Sequence, residues 1–289
     1  LDQSPIVAGH SATEAIHETL ALARLADSLG YHRYWLAEHH SIAALADPCP
    51  EILLGQVAAA TKHLRVGTGG VLMPYYSPLK VAEVFRMLEA LFPGRIDLGL
   101  GRAPGGDLRT AQALSMGAFD AAERFPEQVE EFVGHLDGTL AANHPYARLK
   151  AQPVIDHAPD VWLLGSSDYS GALAAHLGLR FAFAQFISAQ GGDAVMRTYR
   201  KDYRPSKREP LPYAILCSFV VCAETSDEAE RLMKSVDLRR IHMAKGIEAP
   251  VPTVEQSEAY PWTEPEREYA KQQRARTVCG DPQTVKAKL

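Results

Sequence analysis

Apolar positions along this chain alternate between two periods. Ile16, Leu20 and Ala23 fall on one face of a helix at i, i+4 and i+7. Ser11-Ala-Thr-Glu14 precedes them in the form of a capping box, and Gly30 stands where a helix C-cap glycine belongs. A β-rich run over 33–37 follows, then a helical pattern over 50–62 and a second β-rich run over 64–72. Ser77-Pro78 opens a helix predicted over 78–91, with Val81, Val84, Leu88 and Leu91 as its buried stripe and Pro93-Gly94 as its stop. The next strand is predicted over 95–101, and the segment from Asp107 to about Gly138 is helical by period. Strand 161–164 leads through the polar turn 165–170 into helix 171–177. Strands over 181–186 and 213–223 flank a short helix around Tyr199-Arg-Lys-Asp-Tyr203.

Strands that alternate with helices in this way predict a parallel sheet. The pattern contains six clear strands and a strand remnant at Leu1-Asp2. The region from about Arg239 to Arg276 breaks the rhythm; it is rich in Pro, Glu and Tyr and reads as an excursion outside the main sheet. Gly280-Asp281-Pro282 then starts another helix. The abrupt start and a final helix with no strand after it give the expectation that the first and last strands of the fold lie outside this sequence. An α/β barrel takes ~250 residues, so 289 residues accommodate one as a single domain, 1–289.

Composition narrows the function classes. The chain is 46% hydrophobic and 22% charged, ordinary for a globular enzyme. A net charge of -5 argues against a nucleic-acid partner. Cys49, Cys217, Cys222 and Cys279 have no CxxC spacing and fit a reducing compartment. No apolar run reaches the ~20 residues needed to span a bilayer, and no signal peptide opens the chain. A cytoplasmic location is therefore expected, with no membrane partner.

The glycines mark where chemistry could sit. Leu64-Arg-Val-Gly-Thr-Gly-Gly-Val-Leu-Met-Pro74 and Gly94-Arg-Ile-Asp-Leu-Gly-Leu-Gly-Arg102 both end in glycines at the carboxyl ends of strands, the ends at which parallel α/β folds bind ligands. Gly67-Thr-Gly-Gly70 reads either as a strand relaxing into a loop or as a backbone platform for a planar ring. Gly99–Gly105 departs from the dinucleotide fingerprint because Pro104 takes the place of its third glycine. Arg102, just past a strand end, suits either a phosphate or a structural ion pair. The turn Gly165-Ser-Ser-Asp-Tyr-Ser170 suits either an anion at a helix start or plain N-capping. Glu38-His39-His40 closes the first strand. Consecutive strand residues point to opposite faces, so this triplet is a poor metal site, and no metal is expected. One imidazole then either faces the mouth of the sheet as a proton carrier or serves a structural hydrogen bond.

Taken together, EHH after one strand, VGTGGVLMP at the next, GRIDLGLGR after that and WLLGSS further on resemble the bacterial luciferase-like flavin monooxygenases, nearest to their single-subunit members. The likeness runs from Leu1 to Pro282. It implies a TIM (β/α)8 barrel with an insertion before the last strand, here about 239–276. It also implies reduced FMN, supplied by a separate flavin reductase, which reacts with dioxygen to a flavin hydroperoxide that oxygenates a small organic substrate. By matched position it implies proton transfer at His39, a non-prolyl cis peptide at Gly69-Gly70 beneath the flavin ring, and phosphate contacts from Arg102, Ser166, Ser167 and Ser170. Arg124 aligns with a further phosphate contact. Gly101 stands where luciferase has a reactive cysteine, so light emission is not implied. A same-fold deazaflavin-dependent hydride-transfer enzyme and a non-catalytic flavin-binding partner subunit are the alternatives. A homodimer formed through helices 50–62 and 78–91 completes the expectation.

Overall fold

The computed structural model describes residues 1–117 and 122–289. In chain order its elements are α1 (Ala12–Ser28), β1 (Arg33–Leu36), α2 (Pro50–Ala60), β2 (Arg65–Leu72), α3 (Pro78–Leu91), β3 (Ile96–Gly101), α4 (Leu108–Leu114), α5 (Phe125–Asp137), β4 (Asp160–Gly165), α6 (Asp168–Leu177), β5 (Arg180–Ala184), α7 (Gly192–Lys201), β6 (Ala214–Cys217), β7 (Phe219–Cys222), α8 (Ser226–Ala244), α9 (Val254–Ala259), α10 (Glu264–Gln273), β8 (Thr277–Gly280) and α11 (Pro282–Lys288). Strands β1 to β6 form one sheet in sequence order, every pairing parallel. Asp2 adds a parallel bridge to Leu36 on the free edge of β1, where the strand remnant was expected.

The sheet is curled. In a flat sheet β1 and β4 would lie about 14 Å apart, yet the Trp35 and Trp162 rings are 5.3 Å apart. Arg33 on β1 also donates to the hydroxyl of Tyr213, just before β6, at 3.4 Å. Only a rolled sheet brings those side chains together. Its concave face carries Trp35, Trp162, Ala182 and Leu164. The convex face, with Tyr34, Leu36, Leu98, Leu100 and Phe181, packs on helices through Leu54, Val57, Phe85 and Phe132. At the amino-terminal end of the concave face, Asp97 accepts from Arg33 Nε, Trp35 Nε1 and Arg65 Nε, each at 3.0 Å. Arg65 also reaches Asp160 at 2.6 Å, and Arg180 joins Asp160 to Glu209. This charged layer plugs the end of the sheet away from the glycine-rich loops.

Local signals place the elements where the sequence predicts them. The Ser11–Glu14 capping box opens α1, and Ser77 caps α3 with Pro78 at its first position. Three expectations change. The helix predicted from 107 to 138 is interrupted: α4 ends at Leu114, and Met116 and Gly117 turn to positive φ (51° and 81°), which stops a helix. The predicted span also crosses residues 118–121, outside the described residues. The run 213–223 is split at Ser218, its first half pairing with β5 and its second with β8. The excursion therefore leaves the main sheet at Phe219, earlier than Arg239, and encloses a two-stranded parallel sheet with α8, α9 and α10. Among the described residues, no helix is long and apolar enough to cross a membrane.

Candidate functional site at the carboxyl ends of the strands

Glu38 organises the mouth. Its buried carboxylate accepts from the Leu72 amide at 2.8 Å, the Tyr76 hydroxyl at 2.7 Å and His40 Nε2 at 2.7 Å. The His40 amide in turn donates to the Gly105 carbonyl at 3.0 Å. The acid thus ties the end of β1 to the end of β2, and the His40 amide ties it to the loop after β3. His40 carries the structural hydrogen bond that the sequence allowed for one imidazole.

His39 is turned away from that clamp, as strand alternation requires. Its amide donates to the Asp47 carbonyl at 3.3 Å. Its Nδ1 is buried without a hydrogen-bond partner. Burial, and next the nearby Arg239 guanidinium, hold its pKa below the ordinary imidazole value, so the ring is neutral at neutral pH. Asp47 is also buried, with Oδ1 on the Cys49 amide at 3.0 Å and Oδ2 unpartnered. Burial, reinforced by Glu51, Asp2 and Glu38, pushes its carboxyl up to about 6.

The glycine platform is built into the concave face. The Gly69-Gly70 peptide is cis, as the resemblance implied. Gly70 is skipped in the ladder: Gly69 pairs with Gly99 and Val71 with Leu100. A Cβ on Gly70 would lie 2.6 Å from the Gly99 carbonyl oxygen and 2.7 Å from Leu164. A Cβ on Gly69 would lie 2.6 Å from Leu1 and 3.3 Å from Trp35. Gly70 accepts only glycine because the β3 backbone already fills the space beneath it, whereas a Cβ on Gly69 would press on the end of the Leu1 side chain and on the Trp35 indole.

The anion-binding candidates meet one strand further on. Pairing of Leu100 with Leu163 sets Arg102 level with Gly165. The exposed Arg102 guanidinium stacks 4.4 Å from the Tyr169 ring, and no hydrogen-bond acceptor or carboxylate partner holds it among the described residues. Ser167 is the N-cap residue of α6, but its hydroxyl makes no cap bond. Ser170 packs its hydroxyl against Gly165, where an added Cβ would sit 2.1 Å from Oγ. Ser166 lies between Gly165, the last residue of β4, and the N-cap Ser167. An uncommitted guanidinium beside uncommitted hydroxyls at a helix start suits a phosphate. Asp168, in the first turn, accepts the Tyr169 amide at 2.8 Å, which leaves the serines and Arg102 as the donors. Arg124, at the N-cap position of α5, lines a groove with Tyr76, Ser77, Gln128 and Tyr146, so its neighbours come from the Glu38 side of the site. No group of three or more His, Cys, Asp or Glu side chains among the described residues is placed to hold a metal ion.

If the site takes FMN, as the resemblance implies, Arg102→Ala is expected to weaken FMN binding about 10- to 100-fold, the value of a charge-assisted contact, and to leave riboflavin binding unchanged. Fluorescence titration of both flavins checks this. Equal weakening of the two would remove Arg102 from the phosphate.

Sequence reasoning named Arg102, the serines, the glycines and His39. It missed the Glu38 clamp, Tyr169 under Arg102, and Arg239, whose charge reaches His39. Glu38 was visible as an acid at strand alternation from His39. The other two depend on contacts between distant segments.

The chain is similar to known proteins along nearly its whole length. The family model for luciferase-like monooxygenases matches residues 3–289. A luciferase-like monooxygenase of Escherichia coli (strain K12) is 40% identical over 286 residues, 99% of this chain and 84% of the relative. An N-acetyl-S-alkylcysteine monooxygenase of Bacillus subtilis (strain 168) is 38% identical over 265 residues, 90% of this chain and 78% of the relative. The crystal structure of apo-MsnO8 superposes with a TM-score of 0.89 at 38% identity, covering 99% of this chain and 85% of that one.

Proposed function

This chain belongs to the luciferase-like monooxygenase family, and from that premise we propose that it is the oxygenase of a two-component system, taking reduced FMN from a separate flavin reductase to oxygenate a small organic substrate with dioxygen. Its curled sheet is then the six-stranded arc of a TIM (β/α)8 barrel. The observation that carries the reading is the neutral, half-buried His39, with an unpartnered Nδ1, at the same strand ends as a glycine platform and a phosphate cradle.

Bound reduced FMN supplies two electrons to dioxygen, so that one oxygen atom enters the substrate and the other leaves as water. The protein's own groups bind and steer. Arg102 with Ser166, Ser167 and Ser170 holds the phosphate, and Gly69-Gly70 lets the ring approach the backbone. Trp35 and Leu164, under those glycines, make an apolar floor that excludes water from the ring. Neutral His39 accepts a proton at an imidazole nitrogen and returns it as water leaves. Exposed Ile52 on α2 and Met87 and Leu91 on α3 form the apolar face through which two copies pair.

His39→Ala is expected to retain FMN but to lower coupled oxygenation by about 10²- to 10⁴-fold, the range for removing a general acid–base, with hydrogen peroxide released instead. An N-acetyl-S-alkylcysteine is the first substrate to supply, with a reductase and NADH. Oxygenation at the wild-type rate by the variant would sink the role of His39.

A further inference from the structure

The site contains a cation that the reaction as described does not use. Arg239 lies on α8, within the excursion, and is half-buried. Its neighbours on the helix are committed: Asp237 holds Arg274 Nε at 2.9 Å, and Arg240 donates to the Gln273 carbonyl at 3.2 Å and to Thr277 Oγ1 at 2.9 Å. The arginines inside the sheet are committed too, Arg33 and Arg65 to Asp97 and Arg180 to Glu209. Arg239 has neither a hydrogen bond nor an ion pair among the described residues, and burial alone pulls its pKa down. None of its nitrogens is wholly buried, so the half-buried guanidinium still has N–H groups open to a ligand.

The fold brings this part of α8 close to the end of β1. Ser235, one turn before Arg239 on the same helix face, donates to the Pro252 carbonyl at 2.6 Å. Val251 ladders with residues 6–8, and the Ile6 amide donates to the Ala44 carbonyl at 2.8 Å. Residue 44 lies on the loop that follows His39 and His40 and leads to Asp47. These contacts fold the α8 face over the end of β1, and the guanidinium comes close enough to act electrostatically on His39.

We propose that Arg239 is the specificity residue of this site, receiving the carboxylate of an anionic substrate whose other end is oxygenated beside His39. A planar guanidinium with two free N–H edges matches a carboxylate bidentately. Binding would supply the acceptor that Arg239 lacks in the protein itself. The proposal rests on the monooxygenase reading for the reaction at that other end, but recognition of the anion belongs to this chain alone.

The test is anaerobic calorimetric binding of straight-chain and aryl-substituted carboxylic acids, each paired with its primary amide, to the protein with and without reduced FMN. Hexanesulfonate is included beside hexanoate. Wild-type protein is expected to prefer acids over amides. R239M is expected to lose about 10- to 100-fold in acid affinity while amide and FMN affinities hold. R239K, which keeps the charge but not the fork, should fall between them. Thermal melting confirms that both variants are folded. An absent acid preference in wild type, a preference that survives R239M, or tighter hexanesulfonate than hexanoate would each overturn the proposal. So would loss of FMN affinity in R239M, which would assign Arg239 to the flavin. Failure of the wild type to bind FMN, with the acid preference intact, would contradict the monooxygenase reading and leave Arg239 as the anion receptor.

Discussion

Asp97→Ala is expected to lower the unfolding free energy by about 3–5 kcal/mol, the cost of removing one member of a buried ionic group. Asp97 is fully buried and accepts from Arg33, Arg65 and the Trp35 indole. Arg65 keeps Asp160 as a partner, but among the described residues Arg33 loses its only carboxylate and the indole N–H its only acceptor. Arg33 also stacks 5.1 Å from the Trp162 ring and lies beside Tyr213, so its release loosens contacts between strands on opposite sides of the curl. Asp97→Asn keeps the shape and one acceptor oxygen and should cost less. Urea denaturation of both variants measures this. A loss below about 1 kcal/mol for the alanine variant would show that the charged layer does not hold the sheet's curl.

Glu38→Ala comes next in expected effect, also about 3–5 kcal/mol, because three donors lose one buried acceptor. The Leu72 amide and the Tyr76 hydroxyl have little else to bond within the mouth, and His40 would be free to rotate. The consequence extends to function. The Leu72 amide lies two residues past the Gly69-Gly70 platform, and His39 is the residue after Glu38. Loss of the clamp should therefore weaken FMN along with stability. Glu38→Gln, which offers one acceptor oxygen and places an amide N–H₂ among donors, should lie between alanine and wild type in both measurements. Wild-type FMN affinity in a destabilised Glu38→Ala protein would show that the clamp supports the fold and leaves the platform untouched.

Much of this was readable in advance, for local reasons. The capping box at Ser11, the Ser77-Pro78 start and the glycine stops announce helices through bonds made within a few residues. Strands β2 and β3 were legible as β-rich runs ending in glycine, and the parallel pairing that makes their carboxyl ends the candidate ligand side was legible from the alternation of strands and helices. Strand β8 was not legible. Its four residues contain no alternation of their own and are defined only by pairing with Phe219–Cys222. The break after α4 had a local signal, Gly117, within an otherwise helical period. Arg239 was passed over because a helix arginine looks the same in sequence whatever it faces, and the bridge from Val7 to Val251, near which α8 packs, joins segments far apart in the chain.

The central claim is that these strand ends hold reduced FMN. Anaerobic equilibrium titration with reduced FMN and, in parallel, with a reduced 8-hydroxy-5-deazaflavin tests it most directly. The account predicts tight binding of reduced FMN with clear preference over the deazaflavin. Preference for the deazaflavin would make this a hydride-transfer enzyme on the same fold, and failure of the folded protein to bind either would contradict the claim outright.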